Sequence, residues 1–334
     1  MVFVTGGTGL VGSHIIAELL KNGEHIRALC RAGSDKRWFE KTAHWLLGNE
    51  ANRSLQRLTW IEGDVLDMVS LVEGMEGCKE VYHCAALVSF SQRDDDDLHQ
   101  ANVIGTQNLI NACLGMDARP NVCHISSTAS IGGKKDTVIN ESHEFDKEAS
   151  NSYYSYTKYL AELEAYRGRE EGLNVAIINP SIILGFGNWN KGPSKFFKNG
   201  LEEFAFYATG SNAFVDARDV ATAALGLMQK KQFSHRYLCT AWNMKYQDLS
   251  NYIADCFGKK RPRFKASKII SAIAWRLVSF ASLFGVPSLI TKASALSGRK
   301  NMAYNSDELI SAINFSFREA DQSITEICGA YKSL

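Results

Sequence analysis

The stretch MVFVTGGTGLVGSH (residues 1–14) decides the fold, because an apolar run, a glycine cluster and a helical pattern follow one another directly. VFVT (2–5) predicts a buried strand, and the helical pattern of SHIIAELLKNG (13–23) ends at a glycine, a typical stop signal. The glycines in between fit two spacings, Gly7-x-Gly9-x-x-Gly12 and Gly6-x-x-Gly9-x-x-Gly12. This order of elements gathers backbone N–H groups and a positive helix end at one point, an arrangement that binds a pyrophosphate.

The same alternation of short apolar runs and helical patterns continues through the first half of the chain, as is typical of βαβ units. Further strands are predicted at 25–31, 58–64, 80–86, 121–127 and 174–185, and long helices at 94–115 and 155–169. We therefore predict an α/β fold in which a doubly wound parallel Rossmann-type sheet, with a dinucleotide crevice, occupies residues 1–185.

The pattern loosens in the second half of the chain, where aromatic and glycine-rich loops interrupt it. Residues 186–334 are predicted to form mainly a smaller C-terminal α/β lobe that binds substrate. Some segments, such as 214–230, are expected to return to the first domain. A strand at 235–240 and helices at about 246–257 and 267–283 are predicted in this part.

Composition narrows the class of protein. The 334 residues are 45% hydrophobic and 22% charged, with a net charge of +1, which argues against a nucleic-acid-binding surface. The eight cysteines are scattered without a C-x-x-C pair, so we expect reduced thiols, a cytoplasmic location and no metal site. We expect no secretory signal, since no basic and apolar leader pattern precedes the first strand.

One apolar stretch, 269–290, has about the length of a bilayer span. Arg276 lies inside it and Gly285-Val286-Pro287 interrupts it, so we predict a packed helix and no membrane span. Peripheral membrane contact is the alternative.

The residues after the second strand bear on the choice of dinucleotide. An acidic residue directly after that strand would bind the ribose hydroxyls of NAD, and the chain has none there. Arg31, supported by Lys36 or Arg37, is placed instead to pair with a 2′-phosphate, which favours NADP(H) and leaves NAD(H) possible. The alternative is that these charges only solvate a loop.

A tyrosine and a lysine lie four residues apart at the start of the helix predicted over 155–169. Tyr154 and Lys158 therefore share one helix face, and a cation beside a phenol lowers the pKa of the phenol. Upstream, the strand predicted over 121–127 ends in Ser126-Ser127-Thr128, whose hydroxyls lie where an α/β sheet places its ligands. One of them can hold a substrate oxygen that Tyr154 protonates.

Together these features resemble the extended short-chain dehydrogenase/reductases, the NAD-dependent epimerase/dehydratase superfamily. The resemblance spans nearly the whole chain and rests on TGGTGLVG (5–12), GDVLD (63–67), HCAALVSF (83–90), ANVIGTQNL (101–109), SSTASIGG (126–133), YSYTK (154–158), NPSIILG (179–185) and FVDARDVA (214–221). It implies that the wider glycine spacing operates. The cofactor contacts that it predicts are Thr5, Gly6, Gly9, Leu10, Val11, Gly12, Asp64, Val65, Ala85, Ala86, Asn102, Lys158, Asn179 and Pro180.

The resemblance also implies roles for single residues. Asp64 is expected at the adenine and Asn102 near the nicotinamide. Thr128 is expected to hold the carbonyl oxygen, with Ser127 as the alternative, and Lys158 to hold the nicotinamide ribose.

Within this group the chain looks most like the dihydroflavonol 4-reductase-like branch, whose members reduce ketones or aldehydes with NADPH. The predicted function is thus an NADP(H)-dependent oxidoreductase that acts on a small carbonyl or alcohol substrate through tyrosine, lysine and threonine acid–base chemistry. A nucleotide-sugar epimerase or dehydratase that uses NAD is the first alternative, and a non-catalytic dinucleotide-binding protein is the second. Relatives often pair through two helices, here around 98–114 and 155–167, so a homodimer is expected.

Overall fold

The computed structural model describes residues 1–132, 137–146, 152–266 and 298–334. In these residues the strands are, in chain order, β1 (Val2–Thr5), β2 (Ile26–Cys30), β3 (Leu58–Glu62), β4 (Glu80–His83), β5 (Asn121–Ile125), β6 (Val138–Ile139), β7 (Val175–Pro180), β8 (Ile182–Leu184), β9 (Phe206–Tyr207), β10 (Ser211–Asp216), β11 (Arg236–Cys239), β12 (Trp242–Lys245), β13 (Phe264–Lys265) and β14 (Ala303–Tyr304).

The α-helices of the same residues are, in chain order, α1 (Leu10–Lys21), α2 (Arg37–Leu47), α3 (Ala51–Leu55), α4 (Met68–Met75), α5 (Asp95–Leu98), α6 (Gly105–Leu114), α7 (Tyr153–Glu170), α8 (Lys195–Leu201), α9 (Ala217–Gln229), α10 (Tyr246–Phe257), α11 (Asp307–Ile313) and α12 (Ala320–Lys332). A π-helical turn, His99–Ile104, joins α5 to α6. The helix predicted over 94–115 is therefore continuous but changes its pitch midway.

A seven-stranded parallel sheet forms the centre of the molecule, with the order β11-β7-β5-β4-β1-β2-β3. The chain runs from β1 outward to β3, and then returns to β4 on the other side of β1. Because the strand order reverses there, the carboxyl ends of β1 and β4 border a crevice that binds ligands in folds of this kind. The predicted doubly wound sheet is confirmed.

Helices cover both faces of this sheet, and on each face a separate apolar cluster packs the helices against the strands. On one face Ile15 of α1 and Val220 of α9 are fully buried together. On the other face Leu71 of α4, Leu109 of α6 and Ala165 of α7 form the second cluster. Strands buried on both faces explain the continuous apolar runs that predicted them.

One predicted strand is divided in the structure, and another is present but lies in the main sheet. The run predicted over 174–185 is two strands: β7 stays in the main sheet, and β8 pairs with β10 in a separate sheet of order β12-β10-β8. The strand predicted over 235–240 is β11, which pairs with β7 at the edge of the main sheet. The second half of the chain thus contributes an edge strand to the first sheet.

A third apolar cluster lies in the C-terminal half. Phe197 of α8, Phe214 of β10, Tyr246 of α10 and Tyr331 of α12 are buried in it. Trp45 of α2 packs on Phe186 at a ring distance of 5.4 Å and joins this cluster to the first half of the chain.

No helix in the described ranges is long and apolar enough to span a membrane. The apolar stretch 269–290 and the helix predicted over 267–283 lie outside the described residues.

Candidate active site

The glycine loop after β1 is built by close backbone contacts. Gly6 has a φ of +68°, and a Cβ on it would lie 2.6 Å from the backbone nitrogen of Ala85. A Cβ on Gly12 would overlap the carbonyl oxygen of Gly6. Gly7 instead packs on a neighbouring side chain, since its Cβ would lie 2.7 Å from Cδ1 of Ile16.

The loop leads directly into α1, whose N-cap residue Gly9 has no side chain to accept from the first-turn N–H groups. The N–H groups at Leu10 and Val11 are therefore oriented for an anion, together with the positive end of the helix. Gly6, Gly9 and Gly12 themselves carry no side chain that would fill the turn. These residues fit a pyrophosphate cradle.

Thr5 connects this loop to the strand across the crevice. Its buried Oγ1 lies 2.7 Å from Nδ1 of His83 and accepts a hydrogen bond from the N–H of Ala85 at 3.2 Å. Thr5 therefore fixes the loop that carries Ala85 and Ala86 beside the glycines.

Asp64 and Val65 follow β3 at the same edge of the sheet. Oδ1 of Asp64 accepts from the N–H of Leu66 at 2.9 Å, so the half-buried carboxylate shapes its own loop. Val65 is buried against Gly105, where a Cβ would lie 2.6 Å from Cγ2 of Val65.

The basic residues after β2 are in three different situations. Arg37 donates to both carboxylate oxygens of Asp35 at 2.9 Å, and this contact lowers the pKa of Asp35 to about 2. Lys36 precedes α2 and holds its Nζ 4.9 Å from the ring centroid of Trp60. Arg31 is exposed, and its guanidinium has no ion-pair partner within the described part of the chain.

Ser152 caps α7 by accepting from the N–H of Ser155 at 3.2 Å, and this places Tyr154 and Lys158 on successive turns of the helix. Lys158 is 3% exposed and donates from Nζ to the carbonyl oxygen of Ile125 at 2.9 Å. Burial lowers the pKa of Lys158 to about 8, against the opposing effect of the Glu162 carboxylate.

The pKa of Tyr154 is raised by burial, and a hydrogen bond with the Ser127 hydroxyl opposes this rise. The lowered pKa of Tyr154 that was expected from Lys158 is therefore not found, and the Lys158 ammonium donates to the carbonyl oxygen of Ile125 instead. A raised pKa keeps Tyr154 as a neutral phenol at neutral pH, the form that can donate a proton.

Ser127 and Thr128 point in different directions after β5. The Ser127 hydroxyl contacts Tyr154, whereas the Thr128 hydroxyl contacts the buried hydroxyl of Tyr304. Burial raises the pKa of Tyr304 to about 12. A 3₁₀ turn over Thr128–Ser130 separates the two directions.

Glu162 lies one helical turn beyond Lys158 and is 2% exposed. Its carboxylate accepts hydrogen bonds from Ser126 at 2.5 Å, Ser130 at 2.6 Å and Nδ2 of Asn179 at 2.6 Å. Arg236 of β11 adds an ion pair at 3.1 Å. Asn179, expected as a cofactor contact, thus has its side chain in this network, next to Pro180 at the end of β7.

Asn102 is buried in the π-helical turn, where its side chain is fully bonded. Its amide accepts from the N–H of Leu87 at 2.7 Å and donates to the carbonyl oxygen of Leu87 and to Thr157, each at 3.0 Å. It therefore ties the loop after β4 to α7.

Sequence reasoning missed three residues of this region: Glu162, Arg236 and Tyr304. Glu162 could have been found, because it repeats the i, i+4 spacing of Tyr154 and Lys158 on one helix face. Arg236 and Tyr304 reach the site from distant parts of the chain and left no local signal.

Comparisons with known proteins agree with this geometry. The sequence pattern of the NAD dependent epimerase/dehydratase family matches residues 2–239. A candidate dihydroflavonol 4-reductase of Synechocystis sp. is 31% identical over 273 residues, which are 78% of this chain and 74% of the relative. Cinnamoyl-CoA reductase 1 of Oryza sativa subsp. japonica is 31% identical over 281 residues, 80% of this chain and 78% of the relative.

The fold also matches solved structures. The crystal structure of gox2253 has a TM-score of 0.80 to this chain at 23% identity, and the match covers 100% of this chain and 98% of that one. The predicted family and its reductase-like branch are confirmed, and the crevice is that of a fold that binds a nicotinamide dinucleotide. The chain belongs to the NAD dependent epimerase/dehydratase family and is an enzyme of the extended short-chain dehydrogenase/reductase type.

Proposed function

We propose that this enzyme reduces a ketone or aldehyde to an alcohol with NADPH, or catalyses the reverse oxidation. The observation that carries the proposal is the contact between the hydroxyls of Tyr154 and Ser127, one helical turn from Lys158. Ser127 closely follows β5, and Lys158 donates to the carbonyl oxygen of Ile125, the last residue of β5, so the site lies at the carboxyl end of the parallel sheet. A neutral phenol and a second hydroxyl converging on one point can bind and protonate a carbonyl oxygen.

In this proposal the bound nicotinamide supplies the hydride. Tyr154 donates its hydroxyl proton to the carbonyl oxygen, and Ser127 donates a hydrogen bond that orients this oxygen. Lys158 stabilises the tyrosinate that remains and holds the nicotinamide ribose. The direct contact with Tyr154 favours Ser127 over Thr128 for the orienting role.

NADPH is the proposed cofactor because Arg31, directly after β2, offers an exposed guanidinium that no carboxylate among the described residues pairs with. A guanidinium binds a phosphate through two parallel hydrogen bonds. Arg37 is the weaker candidate, since Asp35 already occupies two of its donors.

The cofactor assignment is tested by titrating the enzyme with NADPH and NADH. We expect tighter binding of NADPH, and we expect Arg31→Ala to weaken NADPH binding by roughly tenfold or more while NADH binding hardly changes. Arg53→Ala, an exposed arginine on α3, is the control. Enzyme that purifies with stoichiometric NAD and does not respond to NADPH would instead favour an epimerase or dehydratase.

The substrate is proposed to be a carbonyl compound, and a panel identifies its class. The relatives' names supply its first members: a dihydroflavonol and cinnamoyl-CoA. Simple aromatic aldehydes and ketones complete it. Cofactor oxidation with at least one carbonyl member is expected, and oxidation with none of them would contradict the proposal.

We further propose that two copies pair through α6 and α7. Leu163 of α7 is 41% exposed on the face of the helix that points away from the core. A dimeric mass in solution that Leu163→Glu converts to a monomeric one is the expected result, and a monomeric wild type would contradict it.

A cytoplasmic location is part of the same proposal. All eight cysteines are free thiols, as in proteins of reducing compartments. Fractionation of cells that express the protein checks it, with recovery in an oxidising compartment as the contrary result.

A further inference from the structure

We propose that Glu162 is the positioning residue of this active site. Its carboxylate holds the turn that carries Ser127 and Thr128 in register with Tyr154 and Lys158 on α7. The inference rests on the proposed function, and it assigns to Glu162 no contact with substrate or cofactor.

Hydrogen bonds reach Glu162 from both ends of the turn that carries Ser127 and Thr128. Ser126 and Ser130 lie on either side of the two hydroxyl residues, and both donate to Oε2 of Glu162, at 2.5 Å and 2.6 Å. The carboxylate thus clamps both ends of the turn. Ser127 and Thr128 have little freedom to move away from α7 while these bonds hold.

Asn179 at the end of β7 strengthens the clamp. Its Nδ2 donates to Oε2 of Glu162 at 2.6 Å, to Ser130 at 3.0 Å and to the backbone oxygen of Ser127 at 3.2 Å. The residue that contacts Tyr154 is therefore fixed through its own backbone as well as through its neighbours.

The charge of the buried carboxylate is balanced by one arginine. Arg236 donates to Oε1 of Glu162 at 3.1 Å, and its other nitrogens donate to the backbone oxygens of Glu141 and His143. A carboxylate that is 2% exposed would be costly without such a partner. The edge strand β11 is thereby coupled to the catalytic turn.

Glu162 also acts on Lys158 electrostatically. Tyr154, Lys158 and Glu162 lie on successive turns of one face of α7, and the Glu162 carboxylate raises the pKa of Lys158 against the effect of burial. The other titratable groups that interact with Lys158 are Cys84, His83 and His124. The pKa values of both histidines are lowered by burial, so both are neutral, and Glu162 is the anion that keeps Lys158 protonated.

The test compares Glu162→Gln with Glu164→Gln. The first variant removes the buried charge and keeps the shape of the side chain. The second removes a partly exposed carboxylate on the same helix, for which the described residues supply one ion pair, with Arg167 at 2.8 Å. For each protein, kcat and KM are measured as a function of pH with NADPH and one carbonyl substrate, the member of the panel with the highest turnover. The dissociation constant of NADPH is measured over the same pH range.

For Glu162→Gln we expect kcat to fall by roughly 100-fold with little change in KM, because the hydroxyls lose their register. We also expect the alkaline limb of kcat/KM, and of NADPH binding, to move down by about one pH unit, because Lys158 loses its anion. Glu164→Gln should behave as the wild type does. If Glu162→Gln fails to fold, Ser130→Ala removes a single donor, and it should lower kcat without moving the limb.

Failure of the proposed function and failure of the role of Glu162 give different results. A wild type that neither binds NADPH nor reduces any carbonyl overturns the proposed function itself. In the other case the wild type is active, while the alkaline limb of kcat/KM in Glu162→Gln stays where it is in the wild type. That result, or an equal shift of the limb in Glu164→Gln, overturns only the role of Glu162. An unchanged kcat in Ser130→Ala also overturns that role.

Discussion

The glycine loop and the polar network around α7 border the same end of one sheet, yet they are built in opposite ways. The loop consists of backbone: Gly6 and Gly12 lie so close to other backbone atoms that neither position has room for a side chain. The network consists of side chains from α7, the turn after β5, and strands β7 and β11. We propose that the loop offers N–H groups to the cofactor pyrophosphate, and that the network offers hydroxyls to the reacting carbonyl oxygen.

This difference separates binding from chemistry. Changes in the loop should affect cofactor affinity and stability, because backbone geometry is lost. Changes in the network should affect turnover, because proton donation and orientation are lost while the cradle remains. Each prediction below alters either the network or the loop and leaves the other intact, in order from the largest expected effect to the smallest.

The largest effect is expected for Tyr154→Phe, which removes the proposed proton donor from the network. Steady-state kcat should fall by about 100- to 10,000-fold, the range that positioned acid–base groups contribute. The dissociation constant of NADPH should remain near that of the wild type. Tyr153→Phe, at the exposed neighbouring tyrosine, is the control, and an equal loss in both variants would refute the assignment.

The next effect distinguishes the two hydroxyls after β5. Ser127→Ala should lower kcat by roughly 100-fold, because one preorganised donor to the carbonyl oxygen is lost. Thr128→Val should cost less, since the Thr128 hydroxyl contacts Tyr304 rather than Tyr154. Steady-state kinetics on both variants measures the two losses of kcat. A larger loss in Thr128→Val than in Ser127→Ala would show that Thr128, and not Ser127, orients the carbonyl oxygen.

Gly12→Ala alters the glycine loop and leaves the network around α7 intact. The added methyl group would overlap the carbonyl oxygen of Gly6, and overpacking of this kind costs about 1–3 kcal/mol of unfolding free energy. NADPH binding should weaken by roughly tenfold or more, measured by titration alongside denaturant unfolding. Gly329→Ala in α12, where the space around the glycine is open, is the matched control and should be neutral or slightly stabilising.

The smallest effect is a pH dependence carried by Lys158. Burial lowers its pKa from 10.5 to about 8, so its ammonium form is lost as the pH rises through about 8. Activity that needs this charge should be constant below that pH and fall about tenfold per pH unit above it. A pH profile of kcat/KM that stays flat to well above pH 8 would show that the charge is not needed.

Most of the fold could be predicted because buried parallel strands are continuous apolar runs. β1 has the predicted bounds, but the strand predicted over 174–185 is divided between two sheets. Apolar periodicity cannot show that the hydrogen-bonding partner changes at Ser181. The helix α2 was missed, although Phe39, Ala43 and Leu47 form an apolar stripe at a spacing of four residues.

Only those site residues could be predicted that lie close together in the sequence at a recognisable spacing. Tyr154 and Lys158 were found because one helix carries both at a fixed spacing. The different directions of Ser127 and Thr128 depend on the turn after β5, and Tyr304 contacts Thr128 from far along the chain. Such contacts result from the tertiary fold and have no sequence spacing of their own.

The central claim is net reduction of a carbonyl at the Tyr154 site, and isotope transfer tests it most directly. The enzyme is incubated with an active carbonyl from the panel and NADPH deuterated at the transferable position of the nicotinamide, and the product is analysed by mass spectrometry. We expect an alcohol that carries the label at the former carbonyl carbon, with one NADPH oxidised per alcohol formed. An isomerised or dehydrated product without label, formed with no net oxidation of the cofactor, would contradict it.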